Sequence, residues 1–202
     1  RDSIMAYKQH FIEWFSGSAI DTTRWTNTTQ SGSGMSVVMN DLVDGGVRAT
    51  STGSGSNWGQ LNFNNKRPFS KTGSVFIGVC KRIGGTGVAL IDFGMFGDNL
   101  NGNAKQAVMR DYDNNTYKVL LTGAATASSE TDSDIVTDFS VHSYKIECTA
   151  TPDVDLYIDG VLKVTKTTDL PNLDLQPGFK NFAQNSSGNA VCDISYIEAY
   201  NT

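Results

Sequence analysis

The residues with the clearest chemical potential lie in three short stretches. Trp58-Gly59-Gln60-Leu61-Asn62 alternates, so Trp58, Gln60 and Asn62 share one strand face. An aromatic ring beside two amides suits a pyranose, whose apolar face covers a ring while its hydroxyls bond to amides. The other reading of Trp58 is a ring covering core at a sheet edge. In Val88–Phe96, VALIDFGMF, one carboxylate, Asp92, stands inside an apolar strand. It is either a ligand-binding group or a paired core acid. Arg110, Tyr112 and Tyr117 flank the turn Asp113-Asn114-Asn115 and could join the same face from neighbouring strands.

Positioning these groups falls to strands. His142–Lys166 reads as three of them, with Tyr144, Ile146 and Cys148 on one face of the first and Val154, Leu156 and Ile158 on one face of the second. Thr151-Pro152-Asp153 turns the chain once, and Asp159-Gly160 has the form of a two-residue hairpin turn. Further strands are expected at His10–Phe15, Met35–Asn40, Val47–Thr50, Trp58–Phe63, Ser74–Ile83, Gln106–Tyr112, Tyr117–Thr122, Phe179–Gln184 and Ala190–Tyr200. Gly123–Ser133 and the acidic run Glu130–Asp138 read as solvated loop, and Leu170–Gly178, with two prolines, as a long connection. No apolar stripe of helical period occurs. The expectation is an all-β antiparallel sandwich in one domain over 10–202, preceded by an N-terminal arm at 1–9 able to engage neighbouring copies.

The chain of 202 residues carries a net charge of −5 and only 18% charged residues, which argues against a nucleic-acid partner. No apolar run is long enough for membrane insertion. Cys80, Cys148 and Cys192 sit in apolar strands, as three buried thiols or as one disulfide and a free thiol. GxSxG, HExxH and phosphate-loop motifs are absent, and His10 and His142 stand alone.

The segments SYKIE, DLYIDGVLKVTKTTDLP, CDISYIEAYNT and FIEWFSGSAIDTTRW resemble the strands of the concanavalin A-like superfamily, which includes family-16 glucanases, laminin-G-like domains and legume-lectin relatives. The resemblance implies a concanavalin-like jelly roll. It also implies that Val88–Phe96 matches the strand on which family-16 glucanases carry Glu-x-Asp-x-x-Glu. Here neither glutamate is present, and one carboxylate cannot serve as both nucleophile and general acid. The resemblance further implies a structural calcium ion on the convex side at positions matching Glu13, Gly45 and Asp193, oxygen ligands of the kind calcium takes. Trp25 matches a position that packs structurally.

The leading expectation is a non-catalytic, extracellular or particle-surface module that binds a glycan or a surface protein. The alternatives are a structural or adhesion subunit of a virion, fibre or surface layer, and a divergent glycoside hydrolase or polysaccharide lyase.

Overall fold

The structure, a computed structural model, describes residues 9–29, 35–39, 46–52, 57–86, 89–97, 106–112, 116–122, 128–183 and 189–202. Fifteen strands and no helix occur among them. In chain order they are β1 His10–Glu13, β2 Thr26–Thr29, β3 Met35–Met39, β4 Val47–Thr52, β5 Asn57–Asn62, β6 Ser74–Thr86, β7 Ala89–Phe96, β8 Gln106–Tyr112, β9 Thr116–Thr122, β10 Ser128–Val136, β11 Val141–Cys148, β12 Val154–Ile158, β13 Val161–Lys166, β14 Gln176–Ala183 and β15 Asn189–Asn201.

They form two antiparallel sheets. One runs β13-β12-β11-β6-β15-β4-β3, with β1 also paired to β15; the other runs β10-β9-β8-β7-β14-β5-β2. The meander β11–β12–β13 forms because alternation buries Tyr144, Ile146, Cys148, Val154, Leu156 and Ile158 on a single face. Its second turn has positive φ at both Asp159 (50°) and Gly160 (78°), the backbone of a type I′ hairpin whose twist matches that of the strands.

The core lies between the sheets. Phe76 and Tyr144 from the first meet Phe93 from the second, edge-to-face at 5.0 and 6.4 Å. Gly78 makes room for the Phe93 ring: a Cβ there would come 2.2 Å from Phe93 Cε1. One ion pair is built into this interior. Arg82 of β6 donates to Asp111 of β8 at 2.8 Å, with side chains 3% and 4% exposed. It ties one sheet to the other.

The three cysteines are buried and unpaired. Burial pushes the Cys148 and Cys192 thiols up to about 12, and that of Cys80 well above its usual value. These are packing residues rather than nucleophiles.

Two expectations are corrected. The stretch read as acidic loop is the edge strand β10, paired with β9 from Ser128↔Thr122 to Asp132↔Lys118. The presumed connection through Gly178 already contains the start of β14. Pro177 is tolerated there because it pairs only with β7; the ladder to β5 begins at Gly178.

At the first strand the chain takes an unusual course. Phe11 and Glu13 point inward while His10 and Ile12 point out. Phe15 then adopts φ 48°, a region that costs a bulky residue on the order of 1–3 kcal/mol. Its N–H donates to Glu13 Oε1 at 2.9 Å, and its ring enters the core against Trp25. The same bend leaves Trp14 62% exposed.

Candidate functional site

The outer face of the second sheet, which the family resemblance would make the concave face, gathers most of the residues picked out above. Alternation sends Ile91, Phe93, Met95, Met109 and Phe179 to the core, so their neighbours face the other way. The ladders align a polar row across five strands: Gln60 opposite Lys180, Lys180 opposite Asp92, Asp92 opposite Arg110, Arg110 opposite Lys118.

Arg110 organises this row. Its Nε and Nη2 donate to the two carboxylate oxygens of Asp92 at 2.5 and 2.7 Å, a bidentate fork. Its Nη1 donates to Glu130 Oε1 of β10 at 2.8 Å. Lys118 reaches the other Glu130 oxygen at 3.8 Å. Asp92 is thus a paired acid, nearly buried at 3% exposure, while Arg110 keeps 15% and Glu130 28%. Burial pushes the Lys180 ammonium below its usual range; Asp92 opposes that and the Arg110 charge adds to it.

Gln60 and Asn62 lie in the floor of this face, 1% and 0% exposed. Asn62 Nδ2 donates to Gln60 Oε1 at 3.5 Å, and Asn62 Oδ1 accepts from the Asn65 N–H at 3.2 Å. Among the described residues Gln60 Nε2 finds no partner, and neither does Oε1 of Gln176 on the same face of β14. A buried unpaired amide is costly, and ordinarily a water or ligand completes it.

The remaining sugar-face candidates divide. Trp58 and Tyr112 hold the next register positions, Trp58 opposite Phe182 and Tyr112 opposite Leu90; their side chains lie outside the described residues. Tyr117 is not on this face. It points between the sheets, 1% exposed, with its ring 5.5 Å from those of His142 and Tyr144. Its neighbour Lys118 takes the concave position instead. Lys118, Glu130 and Lys180 were missed in sequence. Alternation from Tyr117 and Phe179 could have found Lys118 and Lys180, but Glu130 needed recognition of β10.

Glu13 and Asp193, two of the three positions matched for calcium, are each engaged within the protein. Glu13 sits opposite Ile197 on the core-facing side of β1, where its oxygens accept from the Phe15 N–H and, at 3.2 Å, from Trp25 Nε1. Asp193 lies on the convex face, both oxygens held by Arg48 at 2.7 Å. Gly45 is outside the described residues. No group of three or more metal-ligating side chains occurs among those described. Trp25 packs in the core at 2% exposure.

His142 of β11 is clamped between two carboxylates. Nδ1 meets Asp159 at 2.6 Å and Nε2 meets Asp138 at 2.9 Å. Burial lowers its basicity, but the two carboxylates outweigh this and raise the pKa above 6.5. Hydrogen bonds from Ser140 N–H and His142 lower that of Asp138; Ser143 N–H and His142 lower that of Asp159 against burial. A raised histidine stabilises fully below its unfolded pKa and loses that contribution as pH rises through the folded value. The lowered aspartates stabilise above their unfolded pKa and lose their contribution as pH falls through the folded value. The melting-temperature gap between wild type and His142→Asn should therefore be widest near about pH 5.5 and shrink by about pH 8.5. An equal gap at both pH values contradicts a charged clamp.

These two antiparallel sheets define the fold: an all-β sandwich of the jelly-roll kind. No family model matches the chain, and no curated protein matches its sequence. Among solved structures it is similar to a β-1,3-glucanase from Mycobacterium marinum, with 12% identity, 94% of this chain and 97% of that one covered, and a TM-score of 0.67. It is similar to a glycoside hydrolase family 16 endo-glucanase from Bacteroides ovatus, with 15% identity, 93% and 98% coverage, and a TM-score of 0.62. It is also similar to an immunostimulatory antigen and pseudo-β-1,3-glucanase of Mycobacterium tuberculosis, with 11% identity, 95% and 98% coverage, and a TM-score of 0.63. At such identities the likeness establishes the fold.

Proposed function

We propose that this chain is a glycan-binding module that does not hydrolyse its ligand, with the concave face of the second sheet as its binding face. The Arg110 bridge carries this reading. A retaining hydrolase needs one carboxylate free to attack and another free to donate a proton. Here Asp92 accepts two hydrogen bonds from the guanidinium and Glu130 accepts a third from its other side. The cation occupies the space between the two acids, where a scissile bond or water would have to lie. A fixed row of amides, cations and carboxylates suits the hydroxyls of a sugar chain. The glucanases among the structural neighbours make carbohydrate the favoured ligand class.

The unpaired Gln60 Nε2 provides the test. Gln60→Leu removes the unpaired Nε2 but also the Oε1 that accepts from the buried Asn62 Nδ2, so the fold gains on one count and loses on the other. Gln60→Leu should therefore melt close to the wild-type temperature. If the amide serves a ligand, the same variant should lose retardation in native gels containing laminarin or lichenan. An unchanged melt with unchanged retardation would remove Gln60 from the site and count against this face.

A further inference from the structure

Beyond the concave face, we infer that the exposed edge of the first sheet carries a second glycan-binding strip, built by the outward residues of β1 and the adjoining half of β15. The strip consists of three facing pairs. His10 packs edge-on to Tyr200, with ring centroids 5.8 Å apart. Ile12 stands opposite Glu198. Trp14 covers Tyr196, with centroids 4.3 Å apart and planes tilted by 48°. At about 3.3 Å per residue, His10 to Trp14 spans roughly 13 Å, the length of a short oligosaccharide.

Three observations favour a sugar. His10, Ile12 and Trp14 are all exposed, and Trp14, at 62%, is the most exposed of the three apparent anchors. The backbone at Phe15 enters the left-handed region to send its own ring inward, and this bend keeps Trp14 outside. Between the aromatic ends lies a fixed acceptor. Glu198 takes the Tyr196 hydroxyl at 2.6 Å on one oxygen and meets His10 Nε2 at 2.8 Å with the other. Each carboxylate oxygen has a second lone pair for a ligand hydroxyl. Rings for the apolar face of a pyranose and an oriented carboxylate for its hydroxyls are what such a ligand requires. The tilt between Trp14 and Tyr196 makes an angled seat, which suits a soluble, twisted chain better than a flat crystalline surface.

The test uses the full chain in native gels containing laminarin, lichenan or galactomannan, with Trp14→Ala and Gln60→Leu run beside wild type. Trp14 is exposed, so Trp14→Ala should melt like wild type while its affinity falls roughly tenfold or more, as for loss of an aromatic anchor. Glu198→Gln should weaken binding less. Loss of retardation in Trp14→Ala but not Gln60→Leu supports the strip and counts against the concave site; the reverse pattern overturns the strip and leaves the concave site standing. Wild type running free of all three polysaccharides also overturns the strip. So does a concentration-dependent dimer in sedimentation that Trp14→Ala abolishes without changing retardation, since the patch is then a contact between copies.

Discussion

Asp111→Ala should lower stability by about 3–5 kcal/mol, because it removes the carboxylate to which the buried Arg82 guanidinium donates. A domain of this size has about 5–15 kcal/mol in total, so the loss is a large share of it. At about 2–4 °C per kcal/mol the melt should fall by roughly 6–20 °C. The pair itself is not expected to be worth that much. Removing both charges, as in Arg82→Met with Asp111→Leu, should bring the melt back near wild type, since a buried ion pair replaced by packed apolar groups is often neutral or stabilising. An Asp111→Ala melt within about 2 °C of wild type would show that the interior tolerates the loss of this carboxylate. A double variant as damaged as the single would show that the pair adds net stability.

The second large effect concerns the fit of Phe93 over Gly78. Phe93→Ala should cost about 3–5 kcal/mol, the usual range for deleting a fully buried ring. Gly78→Ala attacks the same contact from the other side. The added methyl would meet the ring at 2.2 and 2.3 Å, and Phe76 closes off retreat at 3.0 Å. Overpacking of this kind costs about 1–3 kcal/mol. Because both changes act on one space, they should not add. Gly78→Ala with Phe93→Leu should be more stable than the sum of the single losses, and chemical denaturation would show it. Strict additivity would mean that the two residues do not share the space.

The meander from Val141 to Lys166 was legible because each strand alternates cleanly and its hairpin residues tolerate positive φ. The concave strand through Asp92 was legible as an apolar run. What hid Glu130 was the character of its strand: Ser128 to Asp134 is polar on both faces, so local pattern read as loop. Its pairing comes from backbone bonds to β9 and from Arg110, twenty residues away. Arg82 and Asp111 escaped for a similar reason, since a charge within a strand reads as outward until its partner in the other sheet is known. Tyr117 was placed by chemistry alone, and strand parity turned it inward. Trp14 was passed over because its neighbours Phe11 and Phe15 carry the packing signal, and the bend at Phe15 that exposes it leaves no mark in composition.

The central claim, that the concave face holds a glycan without cutting it, is tested most directly by assaying reducing ends in a mixture where binding is also measured. Wild-type protein is titrated into laminarin or lichenan at concentrations that give clear retardation, and reducing sugar is followed through repeated additions. Because Arg110 occupies both Asp92 and Glu130, the expected result is saturable binding with no growth in reducing ends. Steady release that disappears in Asp92→Asn or Glu130→Gln would contradict it and make these two acids a working catalytic pair.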